Sequence, residues 1–424
     1  MAKPPKILII GAGIAGLAAA RVLKANHYDV TILEARDRIG GRTWTDDFYG
    51  APFDLGAFIF HGTENNPIVD LARQINVKFI SLENPAFFLN AKQQYSADQL
   101  DFYKELFSSL LNDASDYALQ APVDMSLAQA IELIKHKEKY AAMPAEIFNW
   151  QASSLPLWSG ADPDQLSAHN WNRDEAPSVG GNHLILDGYK PIVQYLAREL
   201  QIKLNTLITK IQYDANGVTV YSSNETFHAD KVIITVPLGV LKKENIIFNP
   251  PLPKNKLTSI QHLGMGLLDK MILKFPQPFW QSDIPSFTYL EAHDTPWSRF
   301  INGVYFFKQP VLITAAGGHY ASEFETWDVS RVEQLVMANL RKCFGNEIPD
   351  PNAIYMTHWQ QDVFSYGSYS YIPVGASGED YDVLAQPVAD KLFFAGEATN
   401  RCYPGVVQGA YLSGEREAQR IIDH

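Results

Sequence analysis

Apolar and polar positions change period several times along this chain. "KILII" (6–10) is an apolar run of strand length and "DVTILEA" (29–35) is a second. The turn "GAGIAG" and the helical spacing of "LAAARVLKA" lie between them, which predicts a βαβ unit. Helical spacing takes over around 100–140, in "DQLDFYKELFSSLLNDASDYAL" and "MSLAQAIELIKHKEKYAAM", and predicts a helical insertion. From 201 short alternating runs joined by "DANG" and "SSNET" predict a small β region. After "PPLP" (250–253) strands and loops alternate to about 315, a helix is expected near 329–343, and loops rich in Gly and Tyr follow. "KLFFAGEAT" reads as a strand entering a loop, and "GAYLSGEREAQRIIDH" as a final helix.

Within this pattern "LLDKMILKF" (267–275) alternates apolar and charged residues. Period two puts Lys270, Ile272 and Lys274 on one face of a strand and Met271, Leu273 and Phe275 on the other. By period alone the first face is solvated and both lysines stand in water.

The chain has 424 residues, beyond the size at which one hydrophobic core stops growing, so two domains are expected. The βαβ unit at the start and the strand-loop-helix at the end share a domain if the middle folds back. We therefore expect an α/β fold with a discontinuous nucleotide-binding domain (1–75, 190–255 and 385–424) and a mixed sheet and helical domain (76–189 and 256–384). A net charge of −12 argues against nucleic acid and suits a cationic small molecule. Cys343 and Cys402 are far apart and outside any metal-ligand spacing, which predicts no disulfide, no metal site and a reducing compartment. The first residues resemble a signal peptide, but their apolar run holds an ordered glycine pattern that a mature protein needs. With no apolar run near the roughly 18 residues of a membrane span and no apolar tail after "REAQRIIDH", the expectation is a soluble, cytoplasmic protein without a membrane partner.

Gly11, Gly13 and Gly16 form GxGxxG between a strand and a helix. Such glycines permit the tight turn, close approach of a pyrophosphate and helix–strand packing, with the helix N-terminus facing the phosphates. Glu34 ends the second strand, 18 residues after Gly16, where a carboxylate accepts from ribose hydroxyls and repels a 2′-phosphate. In "IGGRTWT" (39–45) Gly40 and Gly41 admit close backbone approach and Arg42 can neutralise a diphosphate. An NAD site does not need this second glycine pair, whereas many FAD proteins carry it. Near the other end Glu397 follows a strand, and a helix starts behind the small residues of "GVVQGAYLSGEREA". Together the two ends suggest FAD clasped by both.

Taken in order, "GAGIAGLAAA…EARDRIGGR", "DLGAFIFHG", "ADKVIITVPLGVLK", "IIFNPPLPKNK", "GSYSYIPVGASGEDYDVLAQPV", "LFFAGEAT" and "GAYLSGEREA" resemble the flavin-dependent amine oxidases, the polyamine and spermine oxidases and histone lysine demethylase catalytic domains above all. The resemblance implies an FAD domain, a substrate domain and a tunnel to the flavin ring. It implies FAD contacts at Gly11, Gly13, Ala15, Gly16, Glu34, Ala35, Gly41, Arg42, Gly56, Ala57, Phe58, Glu397, Gly405, Val406 and Val407, with a backbone contact to adenine at Ile208. It also implies that Lys270 holds a water against flavin N5, leaving Lys274 as a surface charge. His61 matches a histidine near the substrate amine in the polyamine branch; a neutral core histidine is the other reading. Tyr369 matches one wall of an aromatic cage whose second wall, a tyrosine in monoamine oxidases, is Val406 here, leaving room for a bulkier amine. Tyr403 is a conceivable substitute. Trp359 stands for a tryptophan near the flavin edge or for a core aromatic. Asp174 and Glu175 fall in a channel-lining stretch, either drawing in a polycation or simply solvated. Ser368 replaces the cysteine that bonds flavin covalently in monoamine oxidases, so FAD is expected to be non-covalent.

The implied reaction is oxidation of an amine to an imine and then an aldehyde, with O2 reduced to H2O2. Spermine, spermidine or acetylated forms are the expected substrates. The alternatives are a monoamine or an L-amino acid, the last wanting a buried arginine for its carboxylate, and no arginine in the sequence is clearly placed for it. A flavin-binding scaffold or redox sensor is the reading from another class. No histone-binding module or long helical insertion accompanies the sequence, so a chromatin role is not expected.

Overall fold

A computed structural model describes residues 4–82, 87–89, 95–289 and 296–423. The first three residues of the signal-like start, and 290–295 of the strand-and-loop stretch, lie outside them.

Lys6–Ile10 is the middle strand of a five-stranded parallel sheet, in the order Leu392–Phe394, Lys231–Ile234, Lys6–Ile10, Asp29–Leu33, Gln201–Lys203. Parallel strands covered on both faces read as unbroken apolar runs, which is why "KILII" shows no alternation. Ile7 and Ile9 pack under the helices Ile14–Ala25 and Val407–Ile422, while Leu8 and Ile10 enter a second core on the opposite face. Full burial of each such side chain contributes roughly 2 kcal/mol. Two positions that lack a Cβ let helix Ile14–Ala25 sit close on the strand and turn before it and let the two helices sit close on each other. One built on Gly16 would lie 2.0 Å from the Gly11 carbonyl oxygen, and one on Gly414 would lie 2.1 Å from that of Ala15.

The second large sheet has six strands, in the order Ala353–Met356, Leu268–Lys274, Val311–Gly317, Arg299–Asn302, Ser286–Tyr289, Phe87–Leu89. Here the alternation in "LLDKMILKF" misleads. The Leu268–Lys274 strand has hydrogen-bonded neighbours on both sides, and everything from Asp269 to Leu273 is buried. Met271 and Leu273 join the core beneath helix Val329–Phe344, and Ile272 joins Ile313 in another. Lys270 is only 2% exposed, so the expected solvated face is absent there, and only Lys274, at the strand end, stays half-buried.

Helices Ala97–Ala118, Leu127–Ile134 and Ala145–Ala152 form the insertion, the first two each opened by a serine capping box. The helix expected through 125–143 stops at Ile134, where "KHKEK" breaks the apolar spacing, and resumes only as the short turn Glu138–Tyr140. No helix among the described residues is long and apolar enough to cross a membrane.

Candidate active site

A cavity of about 910 Å³ runs from the C-terminal ends of the parallel strands to the face of the six-stranded sheet that carries Lys270. Every site residue nominated from the sequence lines it except Gly16, Asp174 and the conceivable substitute Tyr403. Gly16 serves the packing of helix on strand described above.

At the nucleotide end Gly11 takes φ +107°, a conformation that favours glycine. Gly13 caps helix Ile14–Ala25 without a side chain, and a Cβ built on it would meet no protein atom within 4 Å. Helix Val407–Ile422 likewise begins at Val406 with no capping side chain. Two helix N-termini therefore bring unsatisfied N–H groups to the cavity wall, where an anion completes them. The Glu34 carboxylate accepts from Ala12 N (2.7 Å) and Arg36 N (2.9 Å). Those bonds take two of about four lone-pair sites, leaving acceptors for a hydroxyl pair. Arg42 Nη1 donates to Glu397 Oε1 and to the Ser368 carbonyl, both at 2.9 Å, while Glu397 Oε2 accepts from Ser370 Oγ (2.6 Å) and Gly405 N (2.9 Å). Glu397 thus ties three distant segments together, and Arg42 lines the wall with its charge already partly paired.

At the inner end, Lys270 Nζ donates to the carbonyls of Asp54 and Gly56 and lies 3.6 Å from the centroid of the Phe58 ring. The turn of "DLGAF" fits beneath the lysine because position 56 has no Cβ; one there would lie 1.7 Å from the Arg42 carbonyl oxygen. Burial pushes the Lys270 ammonium down to about 7, opposed by the nearby Asp54, whose own burial raises it to about 6. Trp359 belongs to the core and also reaches the cavity wall. Its ring lines the cavity, donates from Nε1 to the Leu55 carbonyl (3.2 Å) and packs in the core under the sheet.

Sequence reasoning missed what holds Trp359. Asp269 Oδ1 accepts from Trp359 N (3.1 Å) and Thr357 Oγ1 (2.6 Å), and Glu325 accepts from Gln360 N (2.7 Å) and Gln361 N (3.0 Å). Burial first, then the neighbouring Glu325 carboxyl, raises Asp269 well above the usual range and favours its protonated form. An aspartate inside an apolar strand was the available signal.

The rest of the cavity is aromatic and polar. The Tyr369 hydroxyl donates to the Leu157 carbonyl (2.9 Å), which fixes its ring, and Val406 lines the wall nearby. Tyr403 does not line the cavity. His61 opens onto it with Nδ1 3.2 Å from Asn182 Oδ1, and desolvation lowers its pKa and keeps it neutral. The two neighbouring acids part company. Asp174 is paired with Arg401 Nε at 2.9 Å and is withdrawn, whereas Glu175 lines the cavity and its desolvation pushes it up to about 7. No arginine was clearly placed by the sequence, and Arg299 lines the same cavity. Ser368 Oγ is spent on the backbone of Leu268, and neither cysteine lines the cavity.

The sequence matches the family described as flavin containing amine oxidoreductase over residues 14–422. It is 37% identical over 445 residues to lysine-specific histone demethylase 1 homolog 1 of Oryza sativa subsp. japonica, covering 99% of this chain and 52% of that protein. It is 35% identical over 436 residues to lysine-specific histone demethylase 2 of Homo sapiens, covering 98% and 53%. The chain thus spans about half the length of these relatives. Among solved structures, cyclohexylamine oxidase from Brevibacterium oxydans IH-35A superposes with a TM-score of 0.82 at 23% identity, covering 99% of both chains. Wild-type putrescine oxidase bound to putrescine gives 0.80 at 20%, covering 100% of both. At such identities the likeness is one of fold. The family match makes FAD the cofactor, and the two helix N-termini, Glu34 and the Arg42–Glu397 pair are the groups on the cavity wall that could hold it.

Proposed function

Because this chain belongs to the flavin-containing amine oxidoreductase family, we propose that it oxidises the C–N bond of an amine. The observation that carries this reading is Lys270, buried with its ammonium lowered to about 7, at the inner end of a cavity continuous with the dinucleotide cradle. FAD, when bound, accepts the electron pair and hydrogen of the amine α-C–H and passes the electrons to O2, giving H2O2. Water then splits the resulting imine into an aldehyde and a smaller amine. The chain's own groups position and desolvate. Tyr369 forms a fixed wall, and His61 offers an uncharged ring nitrogen to the substrate nitrogen. Lys270 Nζ gains or loses a proton near neutral pH, as a group serving reoxidation needs. The cavity walls keep bulk water from the reacting atoms.

The narrower expectation of a polyamine is supported by Glu175 and His61 but no longer by Asp174. The demethylase names of the relatives favour a second reading, a methylated lysine side chain. The deciding measurement is anaerobic bleaching of flavin absorbance by spermine, spermidine, aromatic monoamines and a methyl-lysine peptide, followed by H2O2 release in air. Bleaching by at least one amine is expected. A flavin that no amine bleaches would leave the scaffold reading in its place.

A further inference from the structure

Arg299 stands in the cavity wall without a counter-charge among the described residues. It stands on the Arg299–Asn302 strand, two residues before Ile301, which pairs with Ile313; Ile313 pairs in turn with Ile272, and Lys270 with Ala315. By the period of two, Arg299 and Lys270 therefore rise from the same face of the sheet, two strands apart, their backbones separated by roughly 10 Å. Nη2 of Arg299 donates to the Trp150 carbonyl (2.6 Å) and to Ser154 Oγ, and the guanidinium sits 4.9 Å from the Trp150 ring centroid. Nε is sealed from solvent without a partner. Nη1 makes no hydrogen bond to the described residues, and Arg299 lines the cavity. No carboxylate among the described residues pairs with Arg299, and burial alone lowers its pKa to about 9. A buried guanidinium without a counter-charge is costly, and such a group is normally paired or bonded on every side. Next to it on the adjacent strand Thr288 pairs with Arg299 and Ser286 with Ile301, so both hydroxyl-bearing residues share its face, and both line the cavity.

We infer that Arg299, with Ser286 and Thr288, forms an anion pocket, and that the substrate is an amine carrying a carboxylate. The inference rests on the amine-oxidation reading and specifies its substrate class. The carboxylate supplies the missing counter-charge at Nη1, while the amine lies toward Lys270. The span between the two strands suits an ω-amino carboxylate better than an α-amino acid. A free polyamine, by contrast, brings a second cation to a cation.

Two assays on the FAD-loaded protein separate this inference from the reading it rests on. One compares anaerobic bleaching by ω-aminohexanoate and norleucine with bleaching by pentylamine, the amine both become on decarboxylation. The other titrates hexanoate, which cannot be oxidised as an amine, by its perturbation of flavin absorbance and tryptophan fluorescence. In the unaltered protein a carboxylate is expected to lower the half-saturating concentration about 10- to 100-fold, as a charge-assisted bond in a dry site does. Arg299→Met should abolish that preference and hexanoate binding; Arg299→Lys should retain part of both. FAD content and melting temperature of each variant report whether the Trp150 and Ser154 contacts were needed for folding. Which of the two amino acids is preferred decides between ω- and α-placement. Hexanoate binding that depends on Arg299, with no amine bleaching the flavin, would keep the pocket and remove the oxidase reading. Equal saturation by pentylamine and its carboxylated partners, or tighter saturation by spermidine, would overturn the pocket.

Discussion

Lys270→Met separates what the buried lysine costs from what it holds. The wild-type ammonium is lowered from 10.5 to about 7, mainly by burial. At 1.36 kcal/mol per pH unit the folded state disfavours the charged lysine by about 5 kcal/mol. Between pH 7 and 10.5 the unfolded chain keeps the proton and the folded chain has released it. The unfolded state binds more protons in that window, so wild-type stability rises with pH there, by about 1.4 kcal/mol per unit. Methionine carries no such dependence. It does strand the Asp54 and Gly56 carbonyls, at about 1–3 kcal/mol each, independent of pH. Asp54, raised to about 6, titrates below the window and leaves the slope alone. Urea unfolding with saturating FAD, followed by far-ultraviolet dichroism between pH 7 and 10, should show the wild type gaining on Lys270→Met as pH rises. A gap that stays constant across that range would refute a lysine that folds in its neutral form.

Gly13→Ala and Gly16→Ala should differ sharply although both alter the same turn. A Cβ on Gly13 meets no protein atom, so Gly13→Ala should leave the melting temperature without FAD unchanged while weakening FAD binding at least tenfold; a Cβ on Gly16 collides with the Gly11 carbonyl and should cost about 2 kcal/mol or more with or without FAD. Flavin retention on a desalting column, read beside the melts, checks both. Asp269→Asn imitates the protonated acid and should stay within about 1 kcal/mol of wild type. Asp269→Ala strands Thr357 Oγ1 and Trp359 N and should lose about 2–4 kcal/mol by urea unfolding, so equal losses in the two variants would dismiss a protonated Asp269.

The sequence by itself determined the parts whose geometry is local. A strand, three glycines and a helix within about twenty residues leave little choice about where a pyrophosphate can sit, and Glu34 follows from the length of that unit. The same holds for Val407–Ile422, whose small residues announce a helix packed close against another. Tertiary structure alone decided the rest, because burial is a property of neighbours that lie far away in the chain. The alternation of 267–275 promised a wet face, but Val311–Gly317 and Ala353–Met356 pair with both edges of the strand and the 54–58 turn packs over the Lys270 face. Asp174 and Glu175 are adjacent in sequence, yet one meets Arg401 and the other the cavity. Arg299 looks like any surface arginine in "WSRF" and is fixed in the cavity wall because Trp150, from a helix 149 residues away, bonds it there. Local spacing can specify a turn, but the dielectric around a charge is set by whatever the whole chain folds against it.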